Sequence, residues 1–160
     1  MDRPYALFLA LDQVPSDATI DALLDENISI TQQAGLTSAE ALWDGPSAED
    51  AALSFARALQ HHGLTAERFV PDLVTKAGIA QRARVSKPAV SAWVSNTTEV
   101  HFPAPYANNG QGFVWLWHPV NEWLKSRGHH SDDWESPTLD EIRRIDGLLR
   151  ESQPLKQQLA

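Results

Sequence analysis

Apolar and polar positions along the chain change period several times, and each change marks an element. Tyr5 to Leu11 is a β-rich apolar run with the length of a buried strand. After Pro15, Ser16 and Asp17, the residues Ile20, Leu23 and Leu24 recur at helical spacing. Ile28 and Ile30 alternate with polar residues, as a half-buried strand does, and a turn centred on Gly35 leads to a weaker strand over Ala39 to Trp43. Ser47 follows the Gly45-Pro46 break and is placed to cap a helix, with Asp50 in the capping-box position. That helix turns Ala51, Leu53, Phe55, Ala56 and Leu59 inward and stops near Gly63. Arg68 to Val70 then fit a last short strand.

The order is β-α-β-β-α-β. An α+β protein is expected, with residues 1–71 as a ferredoxin-like domain in which two helices cover one face of a four-stranded antiparallel sheet. Residues 31–41 fit a loop or a helix as well as a strand. A fold so widely shared says little about function. Pro71-Asp72 marks a junction. Beyond it Thr75 caps a helix from Lys76 to Ala83, Arg84-Val85 make a tight turn, and Ser86 caps a second helix running to about Val94. Strands over Val100 to Tyr106 and Phe113 to Trp117 flank Ala107-Asn-Asn-Gly-Gln-Gly112, whose composition marks a hairpin. His118-Pro119 open another helix, with Val120, Trp123 and Leu124 inward and Gly128 at its end.

His129 to Pro137 read as a polar linker. Thr138 and Glu141 form a capping box, and the helix after them carries Leu139, Ile142, Ile145, Leu148 and Leu149 on one side. Such a stripe must bury against this chain or a second copy. From Glu151 onward the sequence resembles a frayed tail. The expected division is an acidic domain over 1–71, a second domain over 72–130, and a linker with an amphipathic helix over 131–160.

Charge changes the picture once it is divided. The chain carries a formal −8, yet residues 1–71 hold 3 Lys/Arg against 11 Asp/Glu, residues 72–130 hold 6 against 3, and residues 131–160 hold 4 against 7. Only the middle segment is basic, and attraction to phosphate needs a local basic surface rather than a basic whole. The chain has no cysteine, so disulfides and thiolate metal sites are ruled out. No apolar run approaches the roughly 18 residues that span a bilayer, and there is no basic start or small-residue cleavage site of an export signal, so a cytoplasmic, nucleoid-associated location is expected.

Thr75 to Val94, TKAGIAQRARVSKPAVSAWV, has what two crossing helices of a DNA-reading unit need. Ile79, Ala80, Ala83, Val85, Val90 and Trp93 supply a crossing core, and Ala80 is small where a larger side chain would push the helices apart. Lys76, Gln81, Arg82, Ser86, Lys87, Ser91 and Ala92 are left outside. This pattern resembles the bacterial helix-turn-helix families. With Phe102-Pro-Ala-Pro-Tyr106, the Gly-containing hairpin, Val114-Trp-Leu-Trp117 and Val120-Asn-Glu-Trp-Leu124, it is similar to the winged domains of the MerR-like and excisionase-like (AlpA-type) families over about 55 residues. The acidic segment ahead of it more weakly resembles an arrangement in actinobacterial DNA-binding proteins of unassigned role.

The resemblance implies a DNA-binding protein. The helix over residues 86–94 would enter the major groove, with Lys87 and Ser91 nearest the base edges and Ser86 on phosphate. Asn108, Asn109 and Gln111 at the hairpin tip suit minor-groove or phosphate contact. Lys76, Gln81, Arg82 and Arg84 complete the expected surface. Arg84 departs from the family pattern, because the position between the helices is usually Gly, which tolerates left-handed backbone angles. So few cations imply a homodimer or several copies on adjacent sites.

Other chemistries fit less well. Trp115, Trp117 and Trp123 could stack on bases, but their spacing matches inward positions between hairpin and helix. The pairs His61-His62 and His129-His130 point in different directions at helix ends and are read as solvated rather than as metal ligands. Asp132, Asp133 and Glu135 sit in the linker with no nearby nucleophile or glycine-rich phosphate loop, so no enzymatic activity and no cofactor are expected. The reading is sequence-specific binding of double-stranded DNA, as a transcriptional regulator or an excisionase-like architectural factor. The alternative is a protein-interaction module of antitoxin or antirepressor type, which would use the acidic N-terminal domain to hold a protein partner.

Overall fold

The computed structural model describes residues 1–95 and 101–153, so Val100 and the tail after Gln153 lie outside the described residues. The chain divides into two compact units. One combines residues 1–71 with the C-terminal segment from Trp134, and the other is Asp72–Asp133.

In the first unit the strands are β1 (Arg3–Leu11), β2 (Ser29–Gln33), β3 (Leu36–Gly45) and β4 (Ala66–Phe69), and the helices are α1 (Asp17–Asp25) and α2 (Ala48–Gln60). The sheet order is β2-β3-β1-β4, and every pair is antiparallel. Side chains alternate between faces along a strand. Tyr5, Leu7, Leu9 and Leu11 of β1 are all buried, and Leu7 and Leu9 meet Ala41 and Ala39 across β3. Each fully buried leucine contributes roughly 1.5–3 kcal/mol. Leu23, Phe55 and Leu59 close the core from the helices. Ser16 and Ser47 cap α1 and α2 by accepting the backbone N–H groups of Thr19 and Asp50. Two expected inward residues differ: Leu24 is exposed, and Leu53 is half-buried while Ala52 takes a core position.

The stretch that fitted loop or helix is a hairpin. Gln33 pairs with Leu36, and the two residues between them, Ala34 and Gly35, have φ of 52° and 84°. Positive φ at both central positions is the turn whose twist matches paired strands.

The C-terminal helix is α6 (Leu139–Ser152), and the structure decides what its stripe packs on. Thr138 and Glu141 form the capping box through hydrogen bonds of 2.9 and 3.1 Å. Ile142, Ile145 and Leu149 are buried, and α6 packs on α2 and β4. The stripe is therefore covered by this chain, inside the first unit. Asp146 accepts the backbone N–H of Phe69, and Arg144 pairs with Glu49. The expected linker is pinned as well. Glu135 donates its N–H to Pro4, accepts that of Ala6 and pairs with Arg3.

The second unit holds β5 (Leu73–Val74), α3 (Lys76–Ala83), α4 (Lys87–Ser95), β6 (Ala107–Asn108), β7 (Phe113–Leu116) and α5 (Trp117–Ser126). Its small sheet runs β5-β7-β6. Ile79, Val90, Trp115, Trp117, Val120 and Leu124 form the core, with Trp93 and Trp123 packed against it half-buried. The strand expected over Val100 to Tyr106 is absent from the described residues 101–106, and the two-residue β6 falls instead at Ala107–Asn108, inside the stretch expected as the turn. Pro103 and Pro105 have no N–H for a ladder, and the Pro103 carbonyl instead accepts the Trp115 indole N–H at 3.0 Å. Asp132 belongs to this unit: it accepts the Trp117 indole N–H and its backbone N–H is held by Asn121. No helix among the described residues is long and apolar enough to cross a membrane.

Candidate functional site

Two capped helices and a hairpin build the site. Thr75 Oγ1 accepts the Gly78 N–H and Ser86 Oγ accepts the Ala89 N–H, so each hydroxyl satisfies one of the donors a helix start leaves open. Between the helices Arg84 takes left-handed angles, φ 58° and ψ 44°. The turn geometry that usually calls for Gly is thus present with an arginine in it, and the side chain is exposed. Neither α3 nor α4 has an acidic residue in its first turn, which leaves both positive helix ends to an external anion.

Three separate stretches meet in one cleft of about 350 Å³. Thr75, Lys76 and Ala77 form one wall, Lys87 stands at the start of α4, and Asn109, Gln111, Gly112 and Phe113 come from the hairpin. Among the described residues, Lys76, Arg84 and Lys87 have no carboxylate partner. Two ammonium groups without a counter-ion in one concavity make it a seat for an anion.

The hairpin tip sharpens what it offers. Asn108 Oδ1 accepts the Gly110 N–H at 2.8 Å, and Asn109 Oδ1 accepts the Gln111 N–H at 3.0 Å. These bonds hold the loop through the carboxamide oxygens and leave the NH₂ groups of Asn108 and Asn109 as donors that suit phosphate oxygens.

The structure brings Lys76, Lys87, Asn109 and Gln111 together in the cleft. Gln81, Arg84 and Asn108 are exposed outside its lining, and Ser91 is half-buried on α4. Arg82 is placed for another role. Its guanidinium makes paired hydrogen bonds of 2.7 and 2.9 Å to Asp72 and lies 4.6 Å from the Trp117 ring. The hydrogen bonds to Asp72 raise its pKa above the ordinary arginine value. This charge is used inside the unit, and little of it is left for phosphate.

Four cleft residues, Thr75, Ala77, Gly112 and Phe113, were not among those expected from sequence. Phe113 is the informative one, 48% exposed with its ring held at an angle against Trp115. Its sequence signal is position: it directly follows the glycine-rich tip, where a two-residue partner strand offers nothing to cover it. Trp115 and Trp117 are buried core, and Trp123 lies tilted against Trp93 and stacks with His129. His62 pairs with Glu26. No family model, no curated protein and no solved structure matches the chain.

Proposed function

We propose that this protein binds double-stranded DNA through a winged helix-turn-helix formed by residues 72–133. The carrier would be a ferredoxin-like unit made by residues 1–71 and α6. The β-α-β-β-α-β order and the all-antiparallel β2-β3-β1-β4 sheet support the carrier assignment. For the reading head, the supports are α3 and α4 joined through a left-handed Arg84, followed by a hairpin and α5 on one core. They agree with the MerR-like and excisionase-like resemblance of the sequence.

One observation carries the DNA reading: the cleft joins Lys76 and Lys87 to the amide donors of Asn109 and Gln111, all without a carboxylate. The N-terminal end of α4 enters the major groove, with Lys87 and Ser91 toward base edges and Arg84 on a flanking phosphate. The hairpin acts as the wing and contacts the backbone. Arg82 stays with Asp72. Two copies on adjacent half-sites supply the affinity that one head with three free cations lacks. The test is a binding assay on genomic fragments at two salt concentrations. A salt-dependent complex that the double variant Arg84→Ala, Lys87→Ala loses is the expected result, and a complex insensitive to both salt and the variant would sink the proposal.

A further inference from the structure

The geometry points to a nucleotide, rather than a bare phosphate, as the unit held between Lys76, Lys87 and Phe113. The inference builds on the DNA reading of this site and goes past it, because contact with a duplex backbone needs no ring-binding wall. Size is the first argument. At about 350 Å³ the cleft falls within the roughly 300–1,000 Å³ of small-molecule sites, far larger than a four-oxygen anion requires.

Chemistry is the second. The lysines and the hairpin carboxamides suit a phosphate, yet the wall also contains Phe113, an aromatic residue left exposed. Phe113 is kept in position by Trp115, with ring centroids 6.3 Å apart at 64°. An exposed aromatic side chain beside paired cations is the arrangement that holds an unstacked nucleotide, with phosphate on the ammonium groups and the base on the ring. Gln111 offers both a donor and an acceptor to the base edge. Because a base inside a duplex has no free face, the nucleotide is either free in solution or unpaired at a strand end or gap.

The experiment titrates the full chain with inorganic phosphate and with thymidine 5′-monophosphate, following the backbone amides of Lys76, Ala77 and Phe113 by NMR. The nucleotide is expected to bind roughly tenfold more tightly than phosphate, the scale of one base on one aromatic ring. Phe113→Ala should erase that advantage while leaving phosphate binding, Phe113→Tyr should retain it, and Lys76→Ala should weaken both ligands. Equal affinities in the unaltered protein, an advantage that survives Phe113→Ala, or no shift with either ligand overturns the inference. A second arm compares a blunt duplex with one carrying a 5′ overhang. A Phe113-dependent preference for the overhang assigns the nucleotide to unpaired DNA, and nucleotide binding without that preference assigns it to the free ligand. Duplex binding without nucleotide binding defeats this inference alone. Nucleotide binding in a protein that ignores duplex DNA defeats the duplex reading alone.

Discussion

At Arg84 backbone conformation and proposed function act on one side chain. Its left-handed angles cost a non-glycine residue about 1 kcal/mol, whereas glycine adopts them freely. Arg84→Gly should therefore stabilise the protein by about 1 kcal/mol, a rise of a few degrees in a thermal melt. The same change removes a free cation, so the salt dependence of DNA binding should fall by about one unit. An unchanged or lower melting temperature would show that the turn holds no strain at this position. Arg82→Ala is expected to behave oppositely. It loses the Asp72 hydrogen bonds and the contact with Trp117, which should cost about 1 kcal/mol, while the salt slope stays where it was. Measuring both variants by melting and by salt-titrated binding separates a cation that holds the fold from one that holds phosphate.

Among the elements, α6 has the clearest consequence. With Ile142, Ile145 and Leu149 buried on α2 and β4, Ile145→Ala should destabilise the first unit by about 2–5 kcal/mol. A chain ending at Pro71 should fail to give a cooperative melt, because the surfaces of α2 and β4 would lose their cover. A sharp transition in that shortened chain would show that α6 is dispensable. The sequence announced α6 through its capping box and stripe but left open what the stripe packs on, since a period reports a face and not its partner. Helix starts at Ser47, Thr75, Ser86 and Thr138 were legible for a related reason: each is a local hydrogen bond between a hydroxyl and an amide within three residues. Contacts across the chain were not. The turn was marked by Gly35, but its type was not, since Ala34 stands where Asn usually precedes the glycine, and β5 is too short to carry a period. In the site, the lysines and amides could be read from their types, but Arg82 looked equivalent to them until its pairing with Asp72, ten residues earlier, was visible.

The whole molecule is a weakly basic insert carried by an acidic unit. In the proposed DNA complex one copy sets Lys76 and Arg84 on phosphates while Lys87 faces base edges, and counterion release lowers log K by about 0.9 per log unit of salt for each phosphate met. One copy should thus lose about twelvefold in affinity between 50 and 200 mM salt, and two copies about 150-fold, so the slope counts the copies bound. The insertion also fixes how the carrier can be tested. The chain leaves the first unit where the Val70 N–H bonds to Phe8, and it returns where Glu135 bonds to Pro4 and Ala6. These anchor points lie two to four residues apart on β1, a span of roughly 7–14 Å. A short Gly/Ser link from Pro71 to Trp134, replacing residues 72–133, should therefore close without strain, keep α6 and give a folded acidic protein. Circular dichroism and a single cooperative melt would establish that fold, and the same protein should leave DNA unshifted at every salt concentration. If it binds DNA, the reading head has been placed in the wrong unit. If it cannot fold while the full chain does, the carrier depends on its insert and the two units are not separable.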